Sequence, residues 1–148
     1  MADPSSTLLV ITGFGVPPFS ARGLTQTLEP ITQAGKPERT VNGELINLAA
    51  PQFKKYRSVI SGGDHDTGGF SGLFPGLVVT VDCIQELGYL TSSGPGDDGR
   101  TPVAGSERIS GEFTFYRPQL TMMVTAGPTA SWDEWGAINT WSIELEEV

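Results

Sequence analysis

No amphipathic stretch of helical length survives anywhere in this chain, because glycine and proline interrupt it throughout: 19 glycines and 11 prolines stand among 148 residues. Inside a helix, proline costs about 3 kcal/mol and glycine about 1 kcal/mol relative to alanine, so this punctuation excludes a helical bundle. Between the breaks lie short runs in which apolar and polar residues alternate, the period of a strand with one buried face.

The clearest runs are near the end of the sequence. Leu120, Met122 and Val124 alternate with Thr121, Met123 and Thr125, after a break at Pro118. In the last strand Trp141, Ile143 and Leu145 point inward, and Thr140, Ser142, Glu144 and Glu146 outward. Ile109 to Tyr116 reads as one strand, with Ile109, Gly111, Phe113 and Phe115 on a common face. Leu77 to Leu87 is the candidate for a long strand covered on both faces, and Tyr56 to Ser61 is another strand, preceded at Pro51 to Tyr56 by a helical turn or connector. Thr7 to Thr12 is a short buried strand expected near the centre of the fold. Leu24, Gln26 and Leu28 oppose Thr25 and Thr27 in an extended or edge strand that Pro30 stops. Ala34 to Arg39 is turn-like, and Asn42-Gly43 is the dipeptide favoured by type I′ hairpins.

About eight strands with turn signals every 8 to 15 residues predict a single all-β domain over residues 1–148, an antiparallel β-sandwich or barrel with long Gly-rich loops. Two such loops stand out. Gly62 to Gly76 holds six glycines in fifteen positions, and Thr91 to Ser106 is polar and rich in Gly and Pro. Both are expected to be exposed and to order only in an assembly, since neither offers enough core burial to offset ordering entropy.

Chemistry is sparse. Cys83 is the only cysteine, which excludes an intrachain disulfide and a cysteine zinc cluster. His65 is the only histidine, so a catalytic triad would hang on one residue in a glycine-rich loop. Asp64-His65-Asp66 followed by Gly68 has oxygens spaced like a fragment of a calcium loop, but lacks the bidentate Glu and most other ligands, and reads as plain loop. Carboxylates are plentiful, yet no pair is nominated for acid-base work, and no catalytic motif matches. The expectation is a non-enzyme with no cofactor and no metal.

The net charge of −8 argues against a specific nucleic-acid footprint, which needs clustered Lys and Arg. The charge is split along the chain. Residues 1–57 hold six basic and four acidic residues, and the remainder three basic and thirteen acidic. Were the halves to fold onto different faces, Lys54, Lys55 and Arg57 on one copy would attract Glu144 and Glu146 on another; the alternative is scatter over a solvated surface. On that alternative, Glu144, Glu146 and Glu147 simply guard a strand against edge pairing. Trp132 and Trp135 straddle Asp133-Glu134 in a turn, suited to packing, to a protein interface or, with Trp141, Tyr116 and Phe70, to a platform for sugar rings, although the strand phase of Trp141 places it in the core. The start, Met1-Ala2-Asp3-Pro4, lacks the basic region of a signal peptide, and no apolar run reaches membrane length, so cytoplasmic synthesis without a membrane anchor is expected.

Four stretches carry a resemblance: ARGLTQTLEPI (21–31), RTVNGELINLAAPQFKKYRSVIS (39–61), FPGLVVTVDCIQELGY (74–89), and ERISGEFTFYRPQLTMMVT with DEWGAINTWSIELEEV (107–125 and 133–148). Together they span roughly two thirds of the chain, and they resemble small virion proteins of tailed bacteriophages. The resemblance implies a non-enzymatic β-rich building block of the virion, made in the host cytoplasm and used in many copies. It would serve in the tail, as tube or adaptor ring, or as a decoration or cement protein on the capsid. Its partners would be copies of itself, as a ring or trimer, and other virion proteins, with Phe70, Trp132 and Trp135 among the contact candidates. An acidic tube lumen would repel passing DNA rather than grip it. The alternative from another class is a carbohydrate- or receptor-binding module that uses the tryptophan turn.

Overall fold

Strands whose alternation is cleanest in the sequence lie side by side at the heart of the structure. The computed structural model describes residues 9–14, 23–64, 69–96, 99–135 and 138–148. In chain order the strands are β1 (Val10–Ile11), β2 (Thr25–Pro30), β3 (Pro37–Arg39), β4 (Leu45–Asn47), β5 (Tyr56–Asp64) and β6 (Val78–Asp82). They continue as β7 (Leu87–Leu90), β8 (Thr101–Pro102), β9 (Arg108–Ser110), β10 (Phe113–Tyr116), β11 (Pro118–Trp132) and β12 (Asn139–Glu147). Thr32–Ala34 and Pro51–Phe53 are single 3-10 turns. The fold is all-β and its strand pairs are antiparallel.

The large sheet has the order β1-β6-β11-β12-β5-β2, and β8 pairs with Pro118 and Gln119 of β11. Among the described strands β1 and β2 end this order without meeting, so the sheet is open, as in a sandwich, rather than closed as in a barrel. A three-stranded sheet (β7-β10-β9) and a separate two-stranded hairpin (β3-β4) complete the fold.

One face of the large sheet is the core. Leu120, Met122 and Val124 of β11, Ile143 and Leu145 of β12, Ile60 of β5 and Val81 of β6 are almost wholly buried together. Leu9, Phe70 and Leu73 join the same cluster, and the Phe70 ring meets Trp141 edge-on with centroids 4.8 Å apart. The expected phases of β11 and β12 are therefore observed. β11 runs on to Trp132 by means of register shifts between Val124 and Ala126 and between Ala126 and Thr129. Such bulges bend a strand and re-aim its side chains. Past Thr125 no β11 residue is buried, so the far half of β11 leaves the core while its partners Trp141 and Asn139 of β12 stay buried.

Several expectations are corrected. β1 ends the sheet order instead of lying at its centre, although Leu9 and Ile11 are buried; Thr7 and Leu8 lie outside the described residues. The long strand expected over Leu77 to Leu87 breaks after Asp82, and only Val79 and Val81 of β6 are buried. The break has a cause in the side chain of Gln26. Its Oε1 accepts hydrogen bonds from the backbone N–H groups of Ile84 (2.8 Å) and Gln85 (3.5 Å), while the Gln85 side chain accepts one from the Leu28 N–H (3.0 Å). These bonds replace the ladder and turn the chain out of the sheet.

Ile109 to Tyr116 is likewise two strands. Ser110 pairs with Phe113, leaving Gly111-Glu112 as a two-residue loop with positive φ at Gly111 alone, the type II′ requirement. The buried residues of β10 are Thr114 and Tyr116, not Phe113 and Phe115, and the turn puts Ile109 opposite Thr114 instead of on the Phe113 and Phe115 face. The stretch 34–39 contains β3, and its hairpin does not use a type I′ turn: Gly43 has φ +83, but no non-glycine residue among those described has positive φ, so Asn42 cannot fill its I′ position.

Parts of both glycine-rich stretches belong to strands or to the core. Gly62 and Gly63 belong to β5, opposite Trp141 and Thr140. A Cβ on Gly62 would stand 3.0 Å from the Trp141 ring and one on Gly63 only 2.5 Å from the Asn139 carbonyl oxygen, so these glycines permit close approach. At the other end of the same stretch Phe70 and Leu73 are core residues. In the second stretch, Val103 N–H donates to the Arg117 carbonyl (2.8 Å) and Ser106 Oγ to that of Val103 (2.6 Å). Residues 65–68 and 97–98 lie outside the described residues.

Candidate functional site

The β11–β12 hairpin ends in an apolar, acidic tip. Its last pair is Trp132 opposite Asn139, and Trp132, Trp135 and Ile138 are exposed, Trp135 at 90%. Asp133 and Glu134 lie between the two indoles and are exposed as well. The strand pairing that builds the core thus also carries two tryptophans beyond it.

At the opposite end of the sheet, the segment leading into β5 forms a groove of about 450 Å³ lined by Thr32, Lys36, Leu48, Ala50 and Phe53, among others. Its walls come from the two 3-10 turns and the residue after β4. Beside it stands the β3–β4 hairpin, every paired residue of which is exposed. Val41, Leu45, Leu48 and Phe53 are exposed apolar residues of this region. A hairpin without a third strand or a layer beneath it is marginal in water. Sequence reading missed this surface; its signal was the apolar run Leu45, Ile46 and Leu48 beside a turn, with no alternation to assign it to a core.

Of the predicted contact residues, Trp132 and Trp135 are at the surface. Phe70 is not: at 7% exposure it is packed on Trp141, which corrects its placement as a contact residue and dissolves the five-ring platform. Tyr116 is buried too, and its hydroxyl accepts the Arg100 N–H. The charged candidates meet one another within a single protomer. β5 pairs with β12 so that Arg57 lies opposite Glu146, and Arg57 reaches Glu144 at 3.5 Å and Glu29 at 3.6 Å. Arg57 of the first half thus meets Glu144 of the second within one protomer, and each half-exposed pair contributes at most about 1 kcal/mol. Lys54 is exposed and its carbonyl accepts a bond from Arg100 (2.7 Å); the Lys55 carbonyl accepts one from Ile31 (3.0 Å).

A further anchor escaped the sequence reading. Arg100 forms a two-pronged bond with Glu147, Nε to Oε1 at 2.8 Å and Nη2 to Oε2 at 3.1 Å, and its guanidinium lies 5.3 Å from the centre of the Tyr56 ring. The two side chains are only 16% and 10% exposed, so this pair is far less screened than the Arg57 cluster.

Cys83 is fully buried, and burial pushes its thiol up to about 11, outweighing the opposing hydrogen bond with Gln26. A thiol so placed is a packing group rather than a nucleophile. Among the described residues no three His, Cys, Asp or Glu side chains are grouped to hold a metal ion, and no helix is long and apolar enough to cross a membrane. His65 and Asp66 of the loop weighed as a calcium fragment lie outside the described residues. Compared with protein families, with curated proteins and with solved structures, the chain finds no match.

Proposed function

We propose that this protein is a non-enzymatic structural component of a tailed-phage virion, a β building block used in many copies, with a place in the tail as tube or adaptor ring ahead of one in capsid decoration or cement. The observation that carries the reading is exposed apolar surface at both ends of one sheet: Trp132, Trp135 and Ile138 at the hairpin tip, Leu48 and Phe53 beside the unsupported β3–β4 hairpin. Exposed apolar side chains grouped in this way suit contact surfaces. The four stretches that resemble small virion proteins support the same reading, and the net charge of −8 suits a wall that DNA must pass without sticking. The partners are copies of the chain and other virion proteins, and the reading calls for no cofactor.

Solution mass by light scattering after size exclusion tests it, from low salt to about 1 M, where screening falls to roughly 3 Å. A hexamer or salt-sensitive stacks of rings is expected for a tail component. A trimer points to capsid decoration, and a strict monomer at every salt and protein concentration overturns the many-copy reading. The nearly full exposure of Trp135 favours one second reading, a carbohydrate- or receptor-binding module. Quenching of tryptophan emission by soluble glycans at millimolar concentration supports that module, and its absence removes it.

A further inference from the structure

Resting on the many-copy reading, we infer that the β11–β12 tip of one copy seats Trp135 in the Lys36–Phe53 groove of the next, so that copies join head to tail. Topology separates the two surfaces within a protomer. The tip leaves the sheet where Asn139 lies opposite Asp64, whereas the groove segment enters β5 at the other end, where Glu146 lies opposite Arg57. Along β12 the seven steps from Asn139 to Glu146 set these ends about 24 Å apart at the rise of a strand. A tip therefore cannot fold back on its own groove, and a tip that fills a groove belongs to another copy.

A second copy is the occupant whose chemistry fits. The tip is apolar and acidic, with Asp133 and Glu134 beside Trp135, and no Lys or Arg occurs after Arg117. The groove is apolar with one cation at its wall: Leu48, Ala49, Ala50 and Phe53 line it, and Lys36 is its one charged lining residue. An exposed indole entering an apolar pocket, with Glu134 beside the indole and Lys36 at the pocket wall, has the composition of an interface hot spot. Two complementary patches on different surfaces of one molecule make a heterologous contact, which closes into a ring or continues as a stack. The unsupported β3–β4 hairpin beside the groove would gain the layer it lacks.

Three exposed substitutions test the contact by the mass measurement on a dilution series at low salt. Trp135→Ala is expected to raise the dissociation constant by about 30-fold or more, the effect of truncating a hot spot. Lys36→Glu and Glu134→Lys are each expected to weaken assembly, and the double variant Lys36→Glu/Glu134→Lys to recover most of it. A wild-type multimer whose mass and dilution profile survive Trp135→Ala overturns the contact and leaves the many-copy reading standing. A wild-type protein that is monomeric throughout overturns both. Loss of assembly in each single charge variant without recovery in the double overturns the pairing of Lys36 with Glu134, and glycan quenching of Trp135 with no effect on mass gives the tip to the binding module.

Discussion

Trp135 and Trp141 are six positions apart and have opposite surroundings, since Trp141 is 3% exposed against Phe70 and Gly62 whereas Trp135 stands almost free of the protomer. Trp141→Ala is expected to lower the free energy of unfolding by about 3 to 5 kcal/mol, the usual cost of an aromatic cavity, and Trp135→Ala by less than about 0.5 kcal/mol. Urea unfolding of dilute monomer measures both, and equal losses would place Trp135 in the core. Cys83 gives a prediction in pH. Burial raises its pKa from 9.0 to about 11, so the folded state holds the proton more tightly than the unfolded chain does. Stability from this group is complete below pH 9 and is lost as pH rises from 9 towards about 11. Across that window the wild type should lose more stability than Cys83→Ala does, and parallel losses would exclude the effect.

Among elements, the segment around β8 depends most on one side chain. Arg100 joins it to Glu147 of β12 and to the Lys54 carbonyl ahead of β5, and the geometry uses both edges of a guanidinium fork. Removing one member of a mostly buried pair strands the other, so Arg100→Gln is expected to cost about 3 kcal/mol. Faster amide exchange at Val103 should accompany the loss, because its bond to Arg117 holds the same segment; unchanged exchange there would show that β8 alone anchors it. None of this was legible in a stretch of Gly, Pro, Ser and Asp, since the partner of Arg100 is 47 residues away. What alternation revealed was the inner face of β11 and β12 and the edge position of β2, where neighbours on one strand decide burial. It failed where a contact distant in sequence redirected the chain, as Gln26 does at Ile84. It failed also where a glycine served packing rather than a loop, as at Gly63. The tryptophan tip was legible because a turn with two indoles has few structural uses, and the groove was not, because its walls come from segments separated by β3 and β4.

For the whole molecule, the core lies on one face of a single open sheet while apolar surface remains at both its ends. Among the described residues the β3–β4 hairpin has no third strand, and its paired residues are all exposed, so in an isolated protomer its amides have little beyond one short ladder to protect them. Its neighbours in the large sheet are different: β11 and β12 share a long ladder over the buried cluster. Hydrogen exchange should therefore separate the two elements by several orders of magnitude in dilute Trp135→Ala protein, with β3 and β4 exchanging first. In the assembled wild type, a neighbouring tip in the Lys36–Phe53 groove would cover the base of this hairpin. The amides of Lys36 and Leu48, which hold that base through Asn47 Oδ1 and the Lys36 carbonyl, should slow on assembly while the β11–β12 core remains unchanged. Protection that appears instead along the free edge of β2 would mean that copies join by extending the large sheet.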